Sequence, residues 1–291
     1  MLKLQYRPPA PLSAFVDQFW YRRGYAPARK RERALPTGSI DLVFNLHEDS
    51  IRTFADEGDR VGAVSNGAVV HGPQSRYFVL DARRHVHVVG VHFRPGVAAL
   101  FGIAGPTLAD RHVPLEDIWG ADAIVLRERL LEADTPQAMF GLLERELLAR
   151  LPSRPLVHPA VSFAVRRIAS ISAAPIADVQ KETGYSARRF ATLFNDAIGL
   201  APKTFSRIQR LRRVVERVAQ GDKASWADMA AEHGYYDQSH LTKDFRELSG
   251  VTPAAYHPVS PDSALHMEVP GPAEETRVAT TKEPKKSEDM E

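Results

Sequence analysis

The sequence predicts an α+β chain in which a β-rich half comes first and an all-helical half follows. In the first half, short apolar or alternating runs bounded by Gly, Pro and charged residues predict strands within 39–46, 67–72, 76–81 and 85–93. Farther along, apolar residues such as Phe140, Leu143 and Leu147 recur at intervals of three or four residues, so helices should follow the strands. From Pro159 to about Tyr256 almost every segment has a helical pattern.

A proline-rich segment separates the two halves. Three prolines fall within 151–159, where they interrupt both helix and sheet hydrogen bonding. We therefore predict a first domain at 1–153 and a second domain at 158–258. The remaining residues, 259–291, are rich in Pro, Glu, Lys and Thr, which is typical of a disordered tail.

Composition excludes several kinds of protein. The chain has 291 residues, 44% of them hydrophobic, and no apolar run of the roughly eighteen residues that a membrane span needs. It contains no cysteine, which excludes disulfides, thiolate metal sites and cysteine nucleophiles. The N-terminal residues lack the pattern of a secretory signal, so we expect a cytoplasmic protein.

The net charge of +2 is unevenly distributed along the chain. Residues 155–257 carry 14 basic and 10 acidic side chains, whereas residues 258–291 carry 4 and 8. Because only the local field reaches a partner, the relevant observation is that the helical half is the basic part.

The helical half contains an internal repeat of about 50 residues. The copies lie at 176–205 and 226–256, and the second has one extra residue in its turn. Matching positions are Gly184 and Gly234, Tyr185 and Tyr235, Phe190 and Leu241, Phe194 and Phe245, Gly199 and Gly250, Pro202 and Pro253, and Phe205 and Tyr256. Each copy predicts a short helix ending at a glycine, a tight turn and a second helix, which together form a helix-turn-helix.

The second helix of each copy should have one buried and one exposed face. Apolar spacing predicts burial of Phe190, Leu193, Phe194 and Ile198 in the first copy and of Leu241, Phe245 and Leu248 in the second. The opposite face, free to lie in a DNA major groove, carries Arg188, Ala191, Thr192 and Asn195 in the first copy and Gln238, Ser239, His240 and Lys243 in the second.

A connecting helix is predicted over 203–219, with six basic residues and one acidic residue. Its length of about 25 Å is of the order of the roughly 34 Å between successive major-groove sites on one face of DNA. Cationic and amide side chains on or beside this helix are candidate phosphate contacts, namely Arg189, Asn195, Lys203, Arg207 and Arg210.

With these residues, the segment 158–257 resembles the DNA-binding domain of the AraC/XylS family of transcription activators. The stretch GYYDQSHLTKDFRELSGVTPAAY is especially similar to the family signature. The resemblance implies that the base-contacting residues are Arg188, Ala191 and Thr192 in the first copy and Gln238, Ser239, His240 and Lys243 in the second. Since two of the three residues in the first copy are short, it also implies that Arg188 is the main guanine reader there.

Stretches of the first half, including LPTGSIDLVFNL and VVGVHFRPGVAALFG, look like an uncharacterised sensor-like domain that is often joined to AraC-type halves. This resemblance implies a cupin-like β-barrel with trailing helices, which could enclose a small-molecule effector.

Three histidines in the first half raise the question of a metal site. On a regular strand His92 lies opposite His85 and His87, whereas a bulge near Val88 and Val89 would bring all three together. Because no glutamate follows at a cupin-like spacing, we predict neither a bound metal nor another cofactor.

Three classes of function are compatible with these patterns. The leading hypothesis is a sequence-specific transcription regulator without enzymatic activity. Its candidate partners are double-stranded promoter DNA, a small-molecule effector, RNA polymerase and a second copy of the chain, with no membrane. The alternatives are an enzyme with a cupin-like active site and an interaction protein that docks through its helical repeats.

Overall fold

A computed structural model describes residues 1–27, 29–152, 156–170 and 174–269. The strands of the N-terminal half are β1 (Leu2–Tyr6), β2 (Val16–Arg23), β3 (Arg31–Ala34), β4 (Asp41–Asn45), β5 (Ile51–Phe54), β6 (Ala63–Ser65), β7 (Ala68–His71), β8 (Phe78–Asp81), β9 (His87–Phe93) and β10 (His112–Pro114). The helices of this half are α1 (Gly105–Leu108), α2 (Glu116–Trp119), α3 (Ala121–Glu132) and α4 (Pro136–Ala149). The predicted order of strands followed by helices is confirmed.

The C-terminal half is helical, as predicted. It contains α5 (Pro159–Ala169), α6 (Ile176–Glu182), α7 (Ala187–Ile198), α8 (Pro202–Ala219), α9 (Trp226–Glu232) and α10 (Gln238–Ser249), and strand β11 (His266–Glu268) follows. Within the described residues, no helix is both long and apolar enough to cross a bilayer.

The helices of this half share one buried core. The cluster includes the predicted apolar residues of both repeats, with Leu193 half-buried at its margin and six others buried, namely Phe190, Phe194, Ile198, Leu241, Phe245 and Leu248. Because one cluster spans both repeats, the two copies fold against each other rather than as separate units.

The strands pair antiparallel in two sheets, with the orders β1-β2-β9-β4-β7-β10 and β11-β3-β8-β5-β6. One face of the first sheet packs on α3 and α4, where Leu42 and Phe140 belong to the same buried cluster. Its other face meets the second sheet, and there Ile51 packs with Val43 and Val69. The first half is therefore a two-sheet sandwich covered on one side by helices.

The predicted closed barrel is not observed. Among the described strands, the ladders of the first sheet end at β1 and β10, and those of the second end at β11 and β6. Each sheet therefore keeps two edges, whereas a barrel requires one continuous ladder that closes on itself.

The prediction of a disordered tail is wrong for residues 259–269. Strand β11 pairs antiparallel with β3, Met267 is 2% exposed in the same buried cluster as Tyr256, and Val269 is buried against the second sheet. The polar composition of the tail does not predict this short strand. The strand is stable because the open edge of β3 supplies its hydrogen-bond partners. The rest of the predicted tail, 270–291, lies outside the described residues.

The sheet half contacts the C-terminal ends of both α7 and α10. The backbone amide of Tyr77 donates to the carbonyl oxygen of Leu248 at 2.9 Å. At the end of α7, Gly199 packs so closely on Gly105 that a methyl group on Gly199 would lie 2.5 Å from the Gly105 carbonyl oxygen. These contacts hold the C-terminal ends of both helices against the sheet half.

Candidate DNA-binding interface

The first unit, residues 176–198, consists of α6, a tight turn and α7. Gly184 adopts a left-handed φ of +73°, which a residue with a side chain rarely takes, and so ends α6 and lets the chain reverse. Ser186 caps α7, because its hydroxyl oxygen accepts a hydrogen bond from the amide of Arg189 at 3.3 Å. The predicted helix-turn-helix geometry is confirmed here.

The second unit, residues 226–249, repeats this arrangement with α9 and α10. Gly234 has a φ of +74°, and the carboxylate of Asp237 accepts a hydrogen bond from the amide of His240 at 2.7 Å. An anionic cap also interacts favourably with the positive end of the helix dipole. The two second helices, α7 and α10, are called the reading helices below.

The reading helices present the predicted side chains to solvent. The exposed set comprises Arg188, Ala191 and Thr192 on α7 and Gln238, Ser239 and Lys243 on α10. The Thr192 hydroxyl donates to the carbonyl oxygen of Arg188 at 3.1 Å, so its methyl group is free to meet a partner. Their contact with bases stays a prediction.

His240 differs from the other predicted base contacts because it is partly held by the protein. Its side chain is 38% exposed, and its Nε2 atom lies 3.7 Å from a carboxylate oxygen of Asp244. Its Nδ1 atom lies 3.3 Å from the backbone amide of Tyr236, and its ring packs edge-on against Tyr235. These contacts leave His240 less freedom to adapt to a base edge.

The predicted phosphate contacts fall into two groups. Arg189 and Lys203 are exposed and Asn195 is half-buried, so these three remain candidates. Arg207 and Arg210 are instead paired with carboxylates within the protein, and their contact with phosphates stays a prediction. Their guanidinium groups contact carboxylates on α10, which the linear pattern of the connecting helix does not reveal.

The other arginines of α8 are also used internally. Arg212 pairs with Glu216 at 2.7 Å, and Arg217 pairs with Asp222 at 2.6 Å. Arg213 donates to backbone carbonyls at the end of α5, including that of Ser170 at 3.1 Å. The basic helix therefore acts mainly as a scaffold, and the phosphate attraction expected of it is smaller than its charge suggests.

The candidate interface also includes two residues that were not predicted from the sequence. Thr242 and Arg246 border the same open groove as Gln238, Ser239 and Lys243. Arg246 is exposed and follows Lys243 by three positions, which places both on one helix face. That spacing was a usable signal in the sequence.

The three histidines of the sheet half do not come together. Strand β9 pairs regularly with β2 around Val88 and Val89, so the bulge that would have joined the histidines does not form. His92 lies opposite His87 and pairs with Asp41 at 2.6 Å. Among the described residues, no three His, Asp or Glu side chains are arranged to hold a metal ion.

Comparisons with known families match both halves of the chain separately. Residues 4–114 match a family described as "Domain of unknown function (DUF6597)". Residues 166–257 match a family described as "Helix-turn-helix domain", and this match contains the whole of both helix-turn-helix units.

Individual proteins show weaker likeness. A phosphoribosyl 1,2-cyclic phosphate 1,2-diphosphodiesterase from Eggerthella lenta is 29% identical over 140 residues, which is 45% of this chain. This chain spans 50% of the length of that relative. A structure of ToxT from Vibrio cholerae has 10% identity and a TM-score of 0.44, covering 82% of this chain and 97% of that one. A second ToxT structure, with an unsaturated fatty acid bound, has 12% identity and a TM-score of 0.43, covering 82% and 94%.

Proposed function

Since residues 166–257 form a helix-turn-helix domain of the AraC type, we propose that this chain is a transcription regulator that binds specific sites in double-stranded promoter DNA. The observation that carries the proposal is the paired exposure of polar side chains on two reading helices with matching caps and a shared core. Base edges are read through such side chains in the major groove.

The connecting helix fits this role. Its 18 residues span about 27 Å, which is of the order of the roughly 34 Å between successive major-groove sites on one face of the duplex. Because both units pack on α8 in one core, the reading helices form a rigid pair. We propose that they enter neighbouring turns of one DNA site.

We propose base contacts for seven side chains, namely Arg188, Ala191, Thr192, Gln238, Ser239, His240 and Lys243. Phosphate contacts are proposed for Arg189, Asn195 and Lys203, and Arg246 is added to them because it is cationic and exposed beside the reading face.

For the first half, residues 1–153, we propose a sensor domain rather than an enzyme, in which an open, cupin-like two-sheet sandwich takes the place of a closed barrel. Support comes from polar groups inside the sandwich, where the side-chain atoms Arg22 Nε and His85 Nε2 are buried and have no hydrogen-bond partner among the described residues. Unpaired buried polar atoms are costly, and a small polar effector could satisfy them. In this proposal RNA polymerase and a second copy of the chain are further partners, and the protein works in the cytoplasm.

The proposal is tested by selecting duplexes from a random DNA library with the purified full chain. We expect one enriched sequence motif and binding that weakens steeply with salt. Arg188→Ala and Gln238→Ala should each reduce affinity for the selected duplex by about 1–3 kcal/mol and alter base preference.

Arg129→Ala is the matched control, since Arg129 is an exposed cation on α3, away from the reading helices. It should bind like the unmodified chain. Selection without any enriched motif, or wild-type binding by both reading-helix variants, would contradict the proposed function.

A further inference from the structure

Asp244 of α10 is buried between two guanidinium groups. The residue is 4% exposed. One carboxylate oxygen accepts a hydrogen bond from Arg207 Nε at 2.9 Å, and the other accepts one from Arg210 Nη2 at 3.0 Å. Arg207 also contacts Glu247, one turn farther along the same helix. Two cations of the connecting helix α8 are thus paired with carboxylates of α10, the second reading helix.

The same cluster reaches the turn and the reading face. Arg210 donates to the carbonyl oxygen of Gly234 at 3.3 Å, and its guanidinium lies 4.8 Å from the centre of the Tyr235 ring. His240, on the reading face, packs edge-on against the Tyr235 ring, and its Nε2 atom lies 3.7 Å from a carboxylate oxygen of Asp244. One carboxylate therefore links α8, the turn and α10.

The first unit is built differently at the matching position. With Phe194 aligned to Phe245, Asp244 corresponds to Leu193, which packs at the margin of the apolar core. The contacts of Leu193 are non-directional, whereas hydrogen bonds to a buried carboxylate require a defined geometry. The orientation of α10 is therefore constrained more tightly than that of α7.

Buried ion pairs contribute little net stability but are strongly coupled. Removing the charge of one partner leaves the others in a desolvated site without compensation. If Asp244 lost its charge, the guanidinium groups of Arg207 and Arg210 would turn toward other anions. In a protein–DNA complex the nearest abundant anions are phosphates.

Resting on the proposed function, we propose that Asp244 is a positioning residue for DNA recognition. It holds Arg207 and Arg210 away from the phosphates and sets the orientation of α10. The second unit then contributes more base discrimination and less sequence-independent attraction than it would with Arg207 and Arg210 released. This role follows from the contacts of the carboxylate and not from the AraC-type signature.

The test is Asp244→Asn in the full chain, which keeps the shape of the side chain and removes its charge. Affinities for the selected duplex and for a random-sequence duplex are measured over a salt series. Each released guanidinium that reaches a phosphate should steepen the slope of log affinity against log salt by about 0.9, so we expect a steeper slope by about 1–2. We also expect the ratio of specific to random-duplex affinity to fall about tenfold or more.

A purely structural role would give another result. Loss of folded protein weakens binding to both duplexes by the same factor, so an unchanged slope and an unchanged affinity ratio would overturn the inference.

Arg207→Gln provides a second test that does not depend on the folding of the Asp244 variant. If Asp244 and Glu247 hold Arg207 off the DNA, this variant should leave the salt slope within experimental error of the parent. A slope shallower by about 0.9 would show that Arg207 contacts a phosphate and would overturn the inference. Lys203→Gln is the matched control, since Lys203 is an exposed cation at the start of the same helix, and its slope should become shallower.

The two proposals can fail separately. If the unmodified chain selects no motif from the random library, the proposed function fails. If it selects a motif but Asp244→Asn behaves like the parent, only the positioning role of Asp244 fails.

Discussion

The two helix-turn-helix units share their geometry but not the means of holding it. Both turn at a left-handed glycine, both cap the reading helix with a side-chain oxygen, and both bury three large apolar side chains of that helix. At the position directly before the matched phenylalanine, however, the first unit has Leu193, whereas the second has Asp244, which pairs with Arg207 and Arg210. The turn and core positions are therefore alike in the two units, whereas the side chains around them differ.

The units also differ in the segments to which they connect. The first unit leads directly into α8, which belongs to the same core. The second leads into a strap, residues 257–269, which returns to the sheet half and adds β11 to the edge of β3. The second unit is therefore joined to the sheet half by a following segment of chain, in addition to the contacts that both reading helices make with that half.

The largest expected effect tests whether the units form one core. Phe194→Ala and Phe245→Ala remove fully buried rings at matching positions, and each should reduce the free energy of unfolding by about 3–5 kcal/mol. Denaturant unfolding followed by circular dichroism measures this loss, and both variants should still show the helical domain unfolding in one transition.

Tyr236→Ala is the control for these variants, because Tyr236 is 91% exposed and should change stability by less than about 0.5 kcal/mol. Separate transitions for the two units in either core variant would mean that the shared cluster does not couple them.

A somewhat smaller effect is expected from the strap. Met267→Ala should reduce the free energy of unfolding by about 2–5 kcal/mol, because Met267 is 2% exposed within the core that contains the second unit. The neighbouring Glu268→Ala, at an exposed position, serves as the control. Deletion of residues 259–291 should lower the melting temperature at least as much as Met267→Ala, and an unchanged melting temperature would show that the strap contributes nothing to the fold.

An exchange of matching reading-face residues distinguishes the two surfaces. Lys243→Thr, which installs the residue of the first unit, should weaken binding to the selected duplex by about 1–3 kcal/mol and relax base preference. The reverse exchange, Thr192→Lys, adds a cation and should steepen the salt slope by about 0.9. Fluorescence polarisation over a salt series measures both changes. Equal effects of the two exchanges on base preference would argue that the units read DNA in the same way.

The smallest expected effect is a dependence of stability on pH that arises from His233 of the second unit. Burial lowers the pKa of His233 below its ordinary value near 6.5, and the charges of Arg213 and Arg217 add to this effect. The unfolded chain then binds a proton more readily than the folded chain as the pH falls through 6.5, so acidification destabilises the fold.

Thr183 occupies the matching position in the first unit and does not titrate. His233→Thr should therefore lessen the drop in melting temperature between pH 7.5 and pH 5.5, as measured by thermal unfolding. An identical drop in the parent and the variant would assign the pH dependence to other groups.

Much of the helical half could be predicted from the sequence because its signals are local. Glycine at a helix end, apolar residues at helical spacing and their recurrence in a second copy depend only on neighbours along the chain. The same holds for β4 and for β7 to β9, whose apolar runs mark buried strands. Strand β3 was not predicted because its charged sequence, RERA, is typical of an exposed segment. In the fold, however, Glu32 and Arg33 are buried.

The linear order of residues was enough to specify the repeated helix-turn-helix unit, including its turns, its buried faces and the polar side chains that it leaves outward. The folded arrangement was needed to establish which charges remain available and where the chain ends its ordered part. Arg207 and Arg210 look free until α10 places Asp244 against them, and residues 259–269 look disordered until β3 offers an unpaired edge. Local propensity acts between near neighbours, whereas ion pairs and strand pairing join residues far apart in the chain and exist only once the fold has brought them together.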